Sequence, residues 1–187
     1  MKYLKLLFII ILTSCATEKS SNLKLMDLFS DGMVLQQKYK TKIWGISNPN
    51  TEINIEGSWG NKSTTKSDSN GNWIAEIDTP IASGPYSLKI TDGLKTKEIS
   101  DILIGEVWFA SGQSNMEMPL EGYLPREPID NAEKEISNSF NNKIRMFTVT
   151  NNVTLSKIDT VDGIWLESNP KNSRYFSATG YFFAKKL

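Results

Sequence analysis

The sequence predicts a mixed β and α/β chain: an N-terminal antiparallel β-sandwich followed by the incomplete start of an α/β layer. Short β-prone runs broken by turn chemistry fill residues 23–100. A nearly continuous apolar run at residues 102–110 then interrupts that rhythm. Beyond it the order strand, helix, strand, helix describes the opening of an open sheet covered by helices.

The elements follow in chain order. Lys2 and Lys5 precede the apolar stretch of residues 6–12. That stretch is shorter than the roughly 20 residues that span a bilayer and suits the central part of an export signal. It ends at Leu12-Thr13-Ser14-Cys15, which resembles a lipobox, with Cys15 as the lipidated residue. The expectation is an exported lipoprotein anchored at the cell envelope or surface, with plain secretion as the alternative. Residues 16–22 are small and polar, as a tether would be, so residues 1–22 form the signal and tether.

Within residues 23–100, Ile53-Asn54-Ile55-Glu56 and Trp73-Ile74-Ala75-Glu76-Ile77 alternate with the period of two of half-buried strands. Asn70-Gly71 predicts a tight hairpin, Gly84-Pro85 opens a further strand, and Asp92-Gly93 turns into the next. Regular short strands without helical periodicity argue for a sandwich. Trp44, Trp59 and Trp73 fit its core better than a sugar-binding surface.

Residues 101–187 form the second region. Residues 102–110 read as a strand buried on both faces of a parallel sheet. Residues 128–139 read as a short helix and residues 143–150 as a second inner strand. Residues 173–187 read as a helix with Phe176, Gly180, Phe183, Ala184 and Leu187 on one face. Two strands and two helices cannot bury both faces of a parallel sheet. The last helix also carries no capping signal at Leu187. The expectation is therefore a domain truncated within its α/β layer.

Composition narrows the function. The 187 residues carry 21 basic and 21 acidic side chains, no histidine and one cysteine. No net charge draws the chain to nucleic acid, and a cysteine-rich metal site and an intrachain disulfide are excluded. Ser111-Gly112-Gln113-Ser114-Asn115 follows the apolar run, where open α/β sheets bind ligands at the carboxyl ends of their strands. Gly112 permits a sharp turn; by pattern alone the block reads either as a plain turn or as a site where Ser114 attacks an ester carbonyl with its N–H facing a developing oxyanion. Gln113 and Asn115 flank it as residues that shape the loop or touch substrate. Glu106 reads as a paired structural carboxylate, Glu117 as a solvated or helix-start charge, and Arg145 and Arg174 as isolated surface arginines.

Residues 105–117 (GEVWFASGQSNME) closely resemble the nucleophile block of the sialate O-acetylesterase family, within the SGNH-hydrolase superfamily. Residues 28–36 (LFSDGMVLQ), 83–86 (SGPY) and 176–184 (FSATGYFFA) resemble further segments of that family, in its order. The resemblance implies a β-sandwich joined to an SGNH-type α/β/α domain that removes O-acetyl groups from sialic acid or related glycans. It implies no metal and no organic cofactor, with Ser114 as nucleophile and its N–H as one oxyanion donor. The family's Asp-x-x-His has no counterpart in these residues, so the 187 residues are expected to be inactive alone. Two other readings stand beside it: an esterase for acetylxylan-type polysaccharides, and a non-catalytic, glycan-binding surface lipoprotein.

Overall fold

A computed structural model of the chain describes residues 20–187 apart from 124, 157 and 159. The expected export signal and Cys15 lie outside the described residues. The chain forms strands β1 (Lys24–Leu25), β2 (Val34–Gln36), β3 (Lys40–Ile46), β4 (Glu52–Gly57), β5 (Lys62–Lys66), β6 (Asn72–Asp78), β7 (Ser83–Thr91) and β8 (Thr96–Gly105). Then follow α1 (Ser114–Glu117), β9 (Gly122–Tyr123), β10 (Glu127–Pro128), α2 (Ala132–Ser137), β11 (Asn141–Phe147), β12 (Trp165–Ser168), α3 (Pro170–Ser173) and α4 (Ala178–Lys186). Among the described residues, no helix is long and apolar enough to cross a membrane.

The first eight strands form two sheets, ordered β1-β3-β6 and β2-β8-β7-β4-β5. Alternation decides what each buries. In β4, Ile53 and Ile55 point inward while Glu52, Asn54 and Glu56 face solvent. In β6, Trp73, Ala75 and Ile77 do the same. Side chains of both sheets meet in one core, where Ile43, Trp73 and Ile77 pack with Ile55, Leu88, Ile90, Ile102 and Ile104. Each fully buried isoleucine contributes about 1.5–3 kcal/mol. Trp44 packs edge-on against Phe29 with ring centroids 4.6 Å apart. Trp59 donates its indole N–H to the Asp78 carbonyl and packs against the core. Trp73 enters the core by alternation, whereas Trp44, on the β3 face opposite Ile43, and Trp59, in the turn after β4, are partly buried against it.

Several expectations need correcting. The region is not wholly antiparallel, because β2 pairs with β8 in parallel, Val34 opposite Leu103 and Gln36 opposite Gly105. The Asn70-Gly71 turn does not close a hairpin: β5 and β6 belong to different sheets, and the turn carries the chain from one to the other. Gly71 is still required there, with φ of +87° and the Ser47 carbonyl 2.3 Å from where a Cβ would sit. The Asp92-Gly93 turn does close a hairpin, between β7 and β8.

The run at residues 102–110 is not one doubly buried strand. Its first part finishes β8, which crosses position 100 and ends at Gly105. Residues 106–110 pair with no strand among the described residues and are exposed, Phe109 to 88%. Apolarity there signals a need for a partner without specifying one. The segment at residues 143–150 is likewise no inner strand of a parallel sheet. Among the described residues β11 pairs only with β12, antiparallel, across an irregularity between Asn141 and Arg145.

The helices are shorter than expected. Pro128 lies in β10, and α2 begins only after Asn131, whose φ is +59°. The stretch at residues 173–187 is split between α3, which ends at Ser173, and α4. α4 buries Ala178, Gly180 and Tyr181, while Phe183 and Leu187 are exposed. With Leu120, Ala132 and Ile136, Ala178 and Tyr181 form a second, smaller core.

Candidate active site

Ser114 is the first residue of α1, and its side chain is exposed. The turn is closed by the Gln113 carbonyl, which accepts from the Met116 and Glu117 amides at 2.8 and 3.1 Å. The amides of Ser114 and Asn115 precede the first bonded amide of the turn, and such leading N–H groups lack intrahelical acceptors. Gly112 contributes through close approach rather than through its backbone angles: a Cβ there would stand 3.0 Å from Met116 Cβ. Its φ is not among the positive ones.

The start of α4 holds this turn in place. Thr179 donates its hydroxyl to the Asn115 carbonyl at 3.0 Å, and the Ala178 amide donates to the Met118 carbonyl at 2.9 Å. Pro119 and Ser177 form an isolated antiparallel bridge, and the Leu120 amide donates to the Phe176 carbonyl. Ser177 caps α4 by accepting from the Gly180 amide at 3.1 Å. Trp108 meets Phe183 edge-on, with centroids 5.1 Å apart. The block at residues 105–117 and the segment at residues 176–184, distant in sequence, thus share one contact zone.

Gln113 and Asn115 take part through their main chains; no side-chain hydrogen bond of either occurs among the described residues. Glu117 accepts from the Asn151 side chain at 3.2 Å. Glu106 is exposed and is held by two amides rather than by a charged partner. Gln37 Nε2 donates to Oε1 at 2.6 Å and Gln36 Nε2 to Oε2 at 3.1 Å. These bonds hold its carboxyl below the usual carboxylate range. Sequence reasoning missed Gln36 and Gln37, although Gln36 ends the segment at residues 28–36.

Neither arginine is isolated. Arg174 donates to both carboxylate oxygens of Glu133 and to Glu121, and these acceptors raise its already high pKa. The Arg145 side chain is 3% exposed and pairs with Asp101 at 2.9 Å and Glu167 at 3.3 Å. Both are structural ties. Among the described residues, one surface groove is lined by Asp27, Thr148, Thr150, Gly163, Ile164 and Leu166 and another by residues 24–27, Ile46 and residues 160–162; neither includes a residue of 105–117.

The arrangement presents a serine hydroxyl to solvent at the start of a short helix, backed by a second helix. It can supply a nucleophile and main-chain donors. It supplies no proton acceptor of the imidazole kind, since the 187 residues contain no histidine.

No family model matches the chain. Sialate O-acetylesterase from Mus musculus is 28% identical over 174 residues, covering 83% of this chain and 31% of the relative. The Homo sapiens protein of that name is 27% identical over 177 residues, covering 84% and 33%. A crystal structure described as a novel carbohydrate acetylesterase from Xanthomonas citri superposes with a TM-score of 0.80 at 32% identity, covering 88% of this chain and 37% of that one. The chain spans about a third of the length of these proteins.

Proposed function

We propose, for a chain that belongs to the sialate O-acetylesterase family, that it supplies the nucleophile of a glycan O-acetylesterase. Ser114 Oγ attacks the acetyl carbonyl, the sugar hydroxyl leaves with a proton, and water releases acetate from the acyl-enzyme. The observation carrying this reading is the exposure of Ser114 at the first position of α1, next to leading amides that can receive the oxyanion. A serine hydroxyl needs a base to become nucleophilic, and no histidine is available among these residues. An imidazole base would have to come from outside them, so residues 16–187 alone should turn over no aryl acetate above a Ser114→Ala control.

The domain reading belongs to the same proposal. The two sheets sharing one core are read as a β-sandwich over residues 23–100, whose last strand runs on to Gly105, and residues 101–187 as part of an SGNH-type α/β/α domain. The substrate is an O-acetylated sialic acid or a related acetylated glycan. The Xanthomonas citri protein, described only as a carbohydrate acetylesterase, supports keeping acetylated polysaccharides as a second substrate class. The non-catalytic glycan-binding reading loses its aromatic platform, because Trp44, Trp59 and Trp73 all pack on the core.

The test is acetate release by the product of the complete open reading frame from O-acetyl sialic acid and from acetylxylan. Activity on either should fall at least a thousandfold in Ser114→Ala, with the fold unchanged. Activity that survives this substitution, or its absence from the unmodified product, would sink the esterase reading. Export and anchoring through Cys15 are proposed on the lipobox alone. Cells fed a clickable fatty acid should label the protein and not its Cys15→Ser variant; equal labelling of the two would refute the anchor.

A further inference from the structure

We infer that Gln36, Gln37 and Glu106 form a clasp that sets the direction in which the chain leaves β8 towards Ser114, making them positioning residues for that site. The inference rests on the reading of Ser114 as nucleophile and adds a device that acts on it from the β region.

Four hydrogen bonds define the clasp. Gln36 Nε2 and Gln37 Nε2 donate to the two carboxylate oxygens of Glu106. Gln36 Oε1 accepts from the Val107 amide at 2.9 Å, and Gln37 Oε1 accepts from the Ala82 amide at 2.9 Å. Both amide groups thus use their oxygen and their nitrogen at once, which fixes which way each is turned.

The bond to Val107 continues the sheet by other means. The parallel pairing of β2 with β8 ends at Gln36 opposite Gly105, and the Gln37 amide donates to the Gly105 carbonyl at 2.8 Å. The next amide bonded towards β2 is that of Val107, two residues on, and a side-chain oxygen of Gln36 receives it in place of a backbone carbonyl. A side chain has extended the ladder by one rung. The glutamines are themselves anchored to a third segment, since Thr79 Oγ1 donates to the Gln36 carbonyl at 2.6 Å and the Lys38 amide to the Pro80 carbonyl.

Location separates positioning from stability. The Glu106 carboxylate is solvent-exposed, where water competes for both bonds and little net stability results. Such bonds still choose one direction for the chain where no strand holds it. Residues 106–110 have no ladder of their own among the described residues, so this exit, the contacts with α4 and the Asn151–Glu117 bond hold α1 in place. The clasp also joins residues 28–36 to residues 105–117, two segments 70 positions apart at the Gln36–Glu106 contact.

The experiment compares Gln36→Leu, Glu106→Gln and Glu106→Leu in two arms. In the first, 15N-labelled chain is followed by amide spectra and hydrogen exchange. The Val107 amide should exchange at least tenfold faster in Gln36→Leu, and the Ser114 and Asn115 cross-peaks should shift in all three variants. The melting midpoint should move by no more than a few degrees. Glu106→Gln keeps one acceptor oxygen and should fall between wild type and Glu106→Leu. In the second arm, acetate release by the complete open-reading-frame product should show kcat reduced at least tenfold with KM within threefold.

Unmoved Ser114 and Asn115 amides overturn the inference, as does wild-type kcat in Gln36→Leu and Glu106→Leu while Ser114→Ala is inactive. Turnover remaining in Ser114→Ala removes the nucleophile reading instead, and the amide arm then still decides the clasp. Glu106 is at the surface, so its variants remain folded should Gln36→Leu prove unstable.

Discussion

Asp92 shows how one buried side chain serves three segments. It is 6% exposed, yet its carboxylate accepts from Ser21 and Ser47 hydroxyls and from the Leu94 and Lys95 amides. Burial pushes its pKa up, and the hydrogen bonds from Ser21, Lys95, Ser47 and Leu94 outweigh that and hold it below the usual carboxylate range. A depressed native pKa means its stabilisation is complete above the unfolded value near 4 and is lost as pH falls through the lower native value. Asp92→Asn should cost about 1–3 kcal/mol at pH 7, measured by urea unfolding, and less at pH 3. An equal loss at both pH values would show that the charge is not what matters. The Asp92-Gly93 turn was readable from the sequence because its chemistry is local. The ligation of Asp92 by Ser21 was not, because nothing within a few residues of either position signals the other.

Among the elements, α4 carries the most consequence for the site. Ser177 caps it and also bridges to Pro119, just beyond α1. Ser177→Ala removes the cap and should destabilise by about 1 kcal/mol, and amide exchange at Gly180 and Met118 should rise together. A rise at Gly180 alone would mean that α1 does not depend on α4. Strands such as β4 and β6 could be read directly, because a period of two states which residues go inward. It does not state which strand lies alongside. That is why the parallel β2–β8 pairing and the inter-sheet role of Asn70-Gly71 escaped a reading of the sequence alone. The block around Ser114 was legible as a motif, whereas its support by Thr179 and Ser177 depends on packing between segments more than sixty positions apart.

At the scale of the whole molecule, the hairpin of β11 and β12 is fastened to the β region at two points. Trp165 donates its indole N–H to the Leu28 carbonyl at 2.9 Å, and Arg145 reaches Asp101 of β8 and Glu167 of β12. Asp101 holds this position with φ of +54°. Removing one member of a fully buried pair costs several kcal/mol, but both carboxylates here remain open to water. Arg145→Met should therefore cost only about 1–2 kcal/mol, with faster amide exchange in β11 and β12 and none added in β3 and β6. Uniform acceleration would show that the hairpin and the β region open as one unit. The parallel rung between β2 and β8 has a further consequence, for the order of assembly. Val34 leaves the ribosome long before Leu103, so β2 has no neighbour in its sheet until β8 has been made. Pairings of such high contact order form late because a long loop must close first. Closing that last rung also completes the exit towards Ser114, so the serine is placed only when the β region is finished.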